Sequence, residues 1–177
     1  ETAYVYIDRD DNIDSVLYKL EKIIAPVSIK GFQWLARYNG YKQVRTGRYA
    51  ISSSDNMLDV YLRISRGHQT PINLSFNNIR TREQFARRIG NQLMIDSAEI
   101  ADRLSDSVFC ARLGYRPETI VSLFIPNTYE MYWNISADEF FERMQKEHGK
   151  FWTKERLDKA QAIGLTPEEV STLASIV

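Results

Sequence analysis

Two pairs of adjacent carboxylates at helix starts, two histidines and a lone cysteine are residues of this 177-residue chain whose types point to acid–base, metal or nucleophile chemistry. Asp138–Glu139 and Glu168–Glu169 each follow a hydroxyl residue, Ser136 and Thr166, at the spacing of a helix start. Carboxylates in a first helical turn accept bonds from free amides and offset the positive end of the dipole. Capping therefore accounts for both pairs without catalysis. His68 and His148 lie far apart and have no partner at i+4, so neither a zinc-binding helix nor a His-based triad is formed by spacing. Cys110 is alone in "SDSVFCARLG", which excludes an internal disulfide and a thiolate cage and predicts a small core residue. With no glycine-rich phosphate loop and no nucleophile elbow either, we expect no metal and no cofactor.

One segment is not explained by capping. In "IPNTYEMYW" a proline, an amide, a hydroxyl and three aromatics leave an apolar run together. Sugar rings have polar edges and apolar faces, and polar groups beside aromatic rings suit them. Asn127, Thr128, Tyr129 and Tyr132 are thus candidate substrate-binding residues. A strand end with a Pro–Asn turn and core aromatics would produce the same letters.

Bulk composition narrows the partners. Lys plus Arg and Asp plus Glu number 23 each, so the formal net charge is zero. Neither nucleic acid nor an anionic surface is gripped by overall charge in such a chain. The four arginines of "RTREQFARR" read as a solvated helix face with Phe85 and Ile89 on its apolar side. With 44% hydrophobic and 12% aromatic residues the chain can bury a core. No apolar run approaches the roughly 18–20 residues that cross a bilayer. The first residue is Glu1 rather than Met, so an N-terminal segment is expected to precede it.

The elements that must position these residues follow from periodicity. "TAYVYID" alternates as a strand, and Asn12 or Asp11 caps a helix with Ile13, Val16, Leu17, Leu20 and Ile24 on one face. Pro26 ends it, and Ser28 starts a second helix closed by Gly40. "TGRYAIS" is a strand. A helix from Ser54 to Gly67 and an edge strand "QTPINLSF" follow. Beyond residue 80 the chain turns helical, with capping boxes predicted at Thr81–Gln84, Asp96–Glu99 and Ser136–Glu139. "VSLFIPNTYEMYW" reads as a β-rich run broken at Pro126, and "FWTKERLDKAQAIG" as helix. In "GLTPEEVSTLASIV" Thr166, Pro167 and Glu169 start a last helix whose stripe Val170, Leu173, Ala174, Val177 is expected to be buried. That stripe is still running at Val177. The fold class is α+β, with a small module over 1–80 and a helix-rich part over 81–177.

The strand–helix–helix–strand start closing on "GRYAI" resembles the LysM-like module of the YceG/MltG family of endolytic murein transglycosylases. "LFIPNTY" is similar to that family's Leu-Phe-Pro-Asp-Thr-Tyr motif, with Asn127 replacing aspartate and Val121–Ser122 standing where Glu-Gly is usual. "LASIV" is similar to the helix that runs directly into the family's Glu-x-Glu-Thr.

The resemblance implies an α+β fold in which residues 1–80 are an N-terminal LysM-like βααβ module with an added helix and strand. Residues 81–177 would be the helix-rich first part of a catalytic domain. It implies one glutamate acting as acid and then base on the glycosidic bond, with the sugar's own 6-hydroxyl as nucleophile. That glutamate would follow Val177, so no catalytic residue is named within the chain. Asn127, Thr128, Tyr129 and Tyr132 would line the groove, and "DRDDN" and "YNGYKQ" would be the module's glycan loops. Implied partners are peptidoglycan glycan strands and peptidoglycan synthases, in the periplasm, with the chain tethered to the inner membrane by an N-terminal anchor. A non-catalytic peptidoglycan-binding scaffold is the alternative. The older family label, aminodeoxychorismate lyase, requires pyridoxal phosphate on a lysine, and no lysine sits in an apolar strand-end setting.

Overall fold

A computed structural model describes residues 1–177. The chain forms two compact units, Glu1–Ile72 with Met131–Asn134, and Asn73–Glu130 with Ile135–Val177.

In the first unit, β1 (Thr2–Ile7) pairs antiparallel with β2 (Gly47–Ser52), with Thr2 opposite Ser52 and Ile7 opposite Gly47. Alternation puts Val5, Ile7, Tyr49 and Ile51 on the inner face. Between the strands run α1 (Ile13–Glu21) and α2 (Pro26–Tyr38), and after them α3 (Met57–Arg66). Val16, Leu20, Ile29, Phe32, Val60 and Ile64 complete this core. The predicted strand–helix–helix–strand order is present. Asn12 caps α1 in a reciprocal box with Ser15.

Two helix starts differ from expectation. Helix α2 begins at Pro26, not Ser28, because proline occupies the first helical position, where its missing N–H costs nothing. Helix α3 is capped by Asn56 rather than started at Ser54. Asp55 is instead committed to Arg63 at 2.6 Å and to the Ser52 amide at 2.8 Å. Gly67 ends α3 at φ 73° with Arg45 packed over it, a conformation that favours glycine. The short return of Met131–Asn134 is fixed by side chains. Asn134 donates to the Thr46 carbonyl at 3.2 Å and accepts from Gln69 at 2.9 Å, while Trp133 meets Tyr6 edge-on.

The second unit holds most of β3 (Ile72–Phe76) and β4 (Asn127–Met131), which form a two-stranded sheet, and helices α4 (Arg82–Gly90), α5 (Ser97–Ser105), α6 (Ser107–Arg112), α7 (Ala137–Phe151), α8 (Lys154–Ala162) and α9 (Pro167–Ile176). Its core is aromatic. Phe85 stacks on Phe124 at 3.9 Å and meets Phe76 edge-on at 5.4 Å, and Phe140 lies against both Phe85 and Phe124.

Four local expectations are corrected here. "IVSL" is a 3-10 turn, Ile120–Leu123, not strand: Ile120 and Leu123 are both buried, the i, i+3 spacing of that turn. The stretch expected as one helix from Phe151 is interrupted at Trp152 and restarted by Thr153, whose hydroxyl caps α8. Thr81 and Asp96 cap α4 and α5 without reciprocal boxes, whereas Ser136–Glu139 and Thr166–Glu169 are full boxes. The stripe expected to be buried on α9 is mostly open: Val170 is half-buried, but Leu173 is 52% exposed and Ala174 and Val177 are exposed as well. The half-buried residues of this helix include Glu168, Ser171 and Ser175, and it rests on the 3-10 turn and α8.

Candidate functional site

The row Glu168, Ser171, Ser175 forms one wall of a cleft of about 440 Å³ within the second unit. Asn78–Arg80, the Glu118–Ser122 segment, Phe124, Pro126 and the α7–α8 junction Phe151–Trp152 supply the others. Side chains of both kinds converge. Arg80, Glu118, Glu168 and Glu169 bring charge, Ser122, Ser171, Thr172 and Ser175 bring hydroxyls, and Val121, Pro126, Phe151 and Trp152 bring apolar faces. A concave site with a few polar groups among apolar walls suits a small polar ligand with apolar faces, such as a sugar. The Trp152 indole N–H is buried with no partner.

The paired acids of α9 have separate positions. Glu169 accepts the Thr166 amide at 2.8 Å and completes the capping box. The Glu168 side chain is outside that box, and its charge, after burial, contributes to holding the Tyr115 hydroxyl above its ordinary range. Tyr115 in turn lies 3.2 Å from His148 Nε2. Burial pushes the His148 imidazole down, which favours the neutral ring at neutral pH. Both acids stand in the first turn of α9, as read from sequence, but only Glu169 closes the capping box.

None of the four sequence-predicted binding residues lines this cleft. Pro126, immediately before them, does. Asn127 is exposed and its side chain accepts the Thr128 amide at 2.8 Å. Thr128 is exposed and reaches Ser75 Oγ at 3.4 Å. Tyr129 is 5% exposed, lies against Phe76, and donates its hydroxyl to the Ile125 carbonyl at 2.5 Å. Burial raises its pKa, with the Glu147 charge adding to the effect. Its place is the aromatic core behind the Pro126 turn. Tyr132 is 52% exposed and belongs to the first unit. Cleft residues that the sequence reading missed, notably Trp152, Glu118 and Ser175, come from segments far apart in the chain and share no spacing.

Cys110 is buried, and its thiol faces the Leu104 carbonyl at 3.5 Å. No group of three His, Cys, Asp or Glu side chains converges as a metal site. No helix is long and apolar enough to cross a membrane.

An α+β chain with a strand–helix–helix–strand unit and a helical unit bearing an amphiphilic cleft defines the class. The profile of the YceG-like family matches residues 5–177, and the chain belongs to that family. Among solved structures, the chain is similar to a yceG-like protein of Listeria monocytogenes, at 20% identity and a TM-score of 0.52. That similarity covers 94% of this chain and 60% of the Listeria chain, so this chain spans less than two thirds of its length. No curated protein matches.

Proposed function

We propose that this chain is the first part of a lytic murein transglycosylase, and that the cleft against α9 is a stretch of its glycan groove. The observation that carries the reading is that α9 lines the cleft from Glu168 to Ser175, with Glu168, Ser171 and Ser175 half-buried at helical spacing. The same spacing carried onward brings the position after Val177 onto that face, seven residues beyond Ser171 and three beyond Ser175. That is the position where the family resemblance puts its acid. An acid there would protonate the glycosidic oxygen as the C1–O bond breaks. The muramic 6-hydroxyl would close on C1 and return its proton to the carboxylate, leaving a 1,6-anhydro end. One carboxyl suffices because the nucleophile belongs to the substrate, and such an acid needs a raised pKa. The setting that goes with this activity is the periplasmic face of the inner membrane, with glycan strands as substrate and peptidoglycan synthases as partners.

The test is a protein extended beyond Val177, incubated with purified peptidoglycan, its products read by mass spectrometry. Anhydro-ended glycans are expected, and Ser175→Trp, which fills the cleft, should lower their release at least about tenfold. Hydrolysed ends would reject the transglycosylase chemistry, and no release at all would reject the enzyme reading and leave a glycan-binding scaffold.

A further inference from the structure

Between Lys22 and Ser54 the chain has no acidic residue, although the whole is charge-neutral. Six cations fall in that stretch: Lys22, Lys30, Arg37, Lys42, Arg45 and Arg48. Most of it is α2 and the loop that follows. Helix α2 buries Ile29, Phe32 and Ala36 and turns the opposite face outward. On that outer face Val27 is 83%, Trp34 63% and Tyr38 77% exposed. Lys30 and Arg37 are exposed in the same row, and neither enters an ion pair. Trp34 and Tyr38 stack at 5.3 Å with their planes 11° apart, so the two rings form one apolar ridge.

An exposed row of three large apolar side chains costs solubility and is uncommon on a water-facing helix. Its chemistry is that of a helix lying in a bilayer interface: aromatic rings at headgroup depth, an aliphatic residue below them, and Lys and Arg reaching anionic headgroups. A soluble anionic polymer would satisfy the cations but gives Val27 nothing. A protein groove would satisfy the apolar row but gives no reason for the absence of acids along the whole stretch. We propose that the outer face of α2 docks parallel to an anionic lipid surface, holding the first unit against the membrane. This surface is separate from the cleft and does not depend on the reaction proposed for it.

Co-sedimentation with vesicles tests the assignment. The protein should partition onto vesicles of equal parts phosphatidylglycerol and phosphatidylcholine, partition weakly onto pure phosphatidylcholine, and come off as salt rises. Val27→Asp with Trp34→Ser should reduce partitioning at least about tenfold. Lys30→Glu with Arg37→Glu should do likewise. All four positions are exposed, and unchanged circular dichroism confirms that each variant folds; Trp34→Ser alone serves if a double variant does not. Equal binding of the wild type to both vesicle kinds would overturn the proposal. So would wild-type partitioning by the Val27/Trp34 variant. Sensitivity to the charge reversals alone, with release by soluble polyglutamate, would mark an anionic polymer as the partner and also reject the lipid surface.

Discussion

Removing the cap of α9 by Thr166→Ala should loosen that helix without loosening the rest of the protein. The Thr166 hydroxyl accepts the Glu169 amide at 3.2 Å, and Glu169 returns the bond to the Thr166 amide at 2.8 Å. Losing an N-cap costs about 1 kcal/mol. In most helices that loss is set against a large buried face, but no residue of α9 is buried. Its tertiary hold consists of contact with the 3-10 turn and α8 and a 3.4 Å bond from Asn78 to the Ala174 carbonyl. Opening of α9 is therefore a local event, and about 1 kcal/mol raises its open population about fivefold. Native-state hydrogen exchange reads this directly. Amides from Val170 to Ile176 should exchange about fivefold faster in the variant. Those of α4, where Phe85, Ala86 and Ile89 are buried, should not change. Equal acceleration in both helices would mean that α9 opens only with global unfolding. No acceleration in α9 would mean that the cap contributes nothing to it. Either result refutes the argument, and with it the idea that this cleft wall is held mainly by its own start signal.

Phe85→Ala should destabilise the second unit by about 3–5 kcal/mol in chemical denaturation, because the ring is fully buried among Phe76, Phe124 and Phe140; a loss under about 1 kcal/mol would show that the aromatic cluster can collapse around the cavity. Asp55→Asn addresses the first unit. Arg63, followed by the Ser52 amide, holds the Asp55 carboxyl below its ordinary value of 3.8. A folded value below the unfolded one gives stability that is present at neutral pH and lost as pH falls through the folded value. Wild type should therefore exceed Asp55→Asn in urea midpoint at neutral pH, with the two curves converging in acid; a gap that stays constant with pH would contradict the assignment.

Much of the architecture is local information. Alternation of Val5 and Ile7, the Asn12 cap, and the Ser136–Glu139 and Thr166–Glu169 boxes each use bonds within a few residues, so they are written in adjacent letters. The reading failed where an apolar run was left to choose its form. "IVSL" has strand-like residues, yet Ile120 and Leu123 are both buried three residues apart, the spacing of a 3-10 turn. Tyr129 looked like a ligand-facing aromatic because it follows an amide and a hydroxyl. Alternation along β4 turns it inward to Phe76, a partner 53 residues earlier in the chain.

By itself, then, the sequence determined the α+β order, several of the helix starts and the family, because these depend on near neighbours and on short motifs in a fixed order. It also held the acid-free stretch from Lys22 to Ser54, but not the knowledge that Val27, Trp34 and Tyr38 share the open side of α2. The cleft was decided by tertiary structure alone. Its walls come from residues 78–80, 118–126, 151–152 and 168–175, brought together by burial of an aromatic core to which most of them do not belong. Burial is cooperative over the whole unit, so no spacing between these residues announces that they will meet.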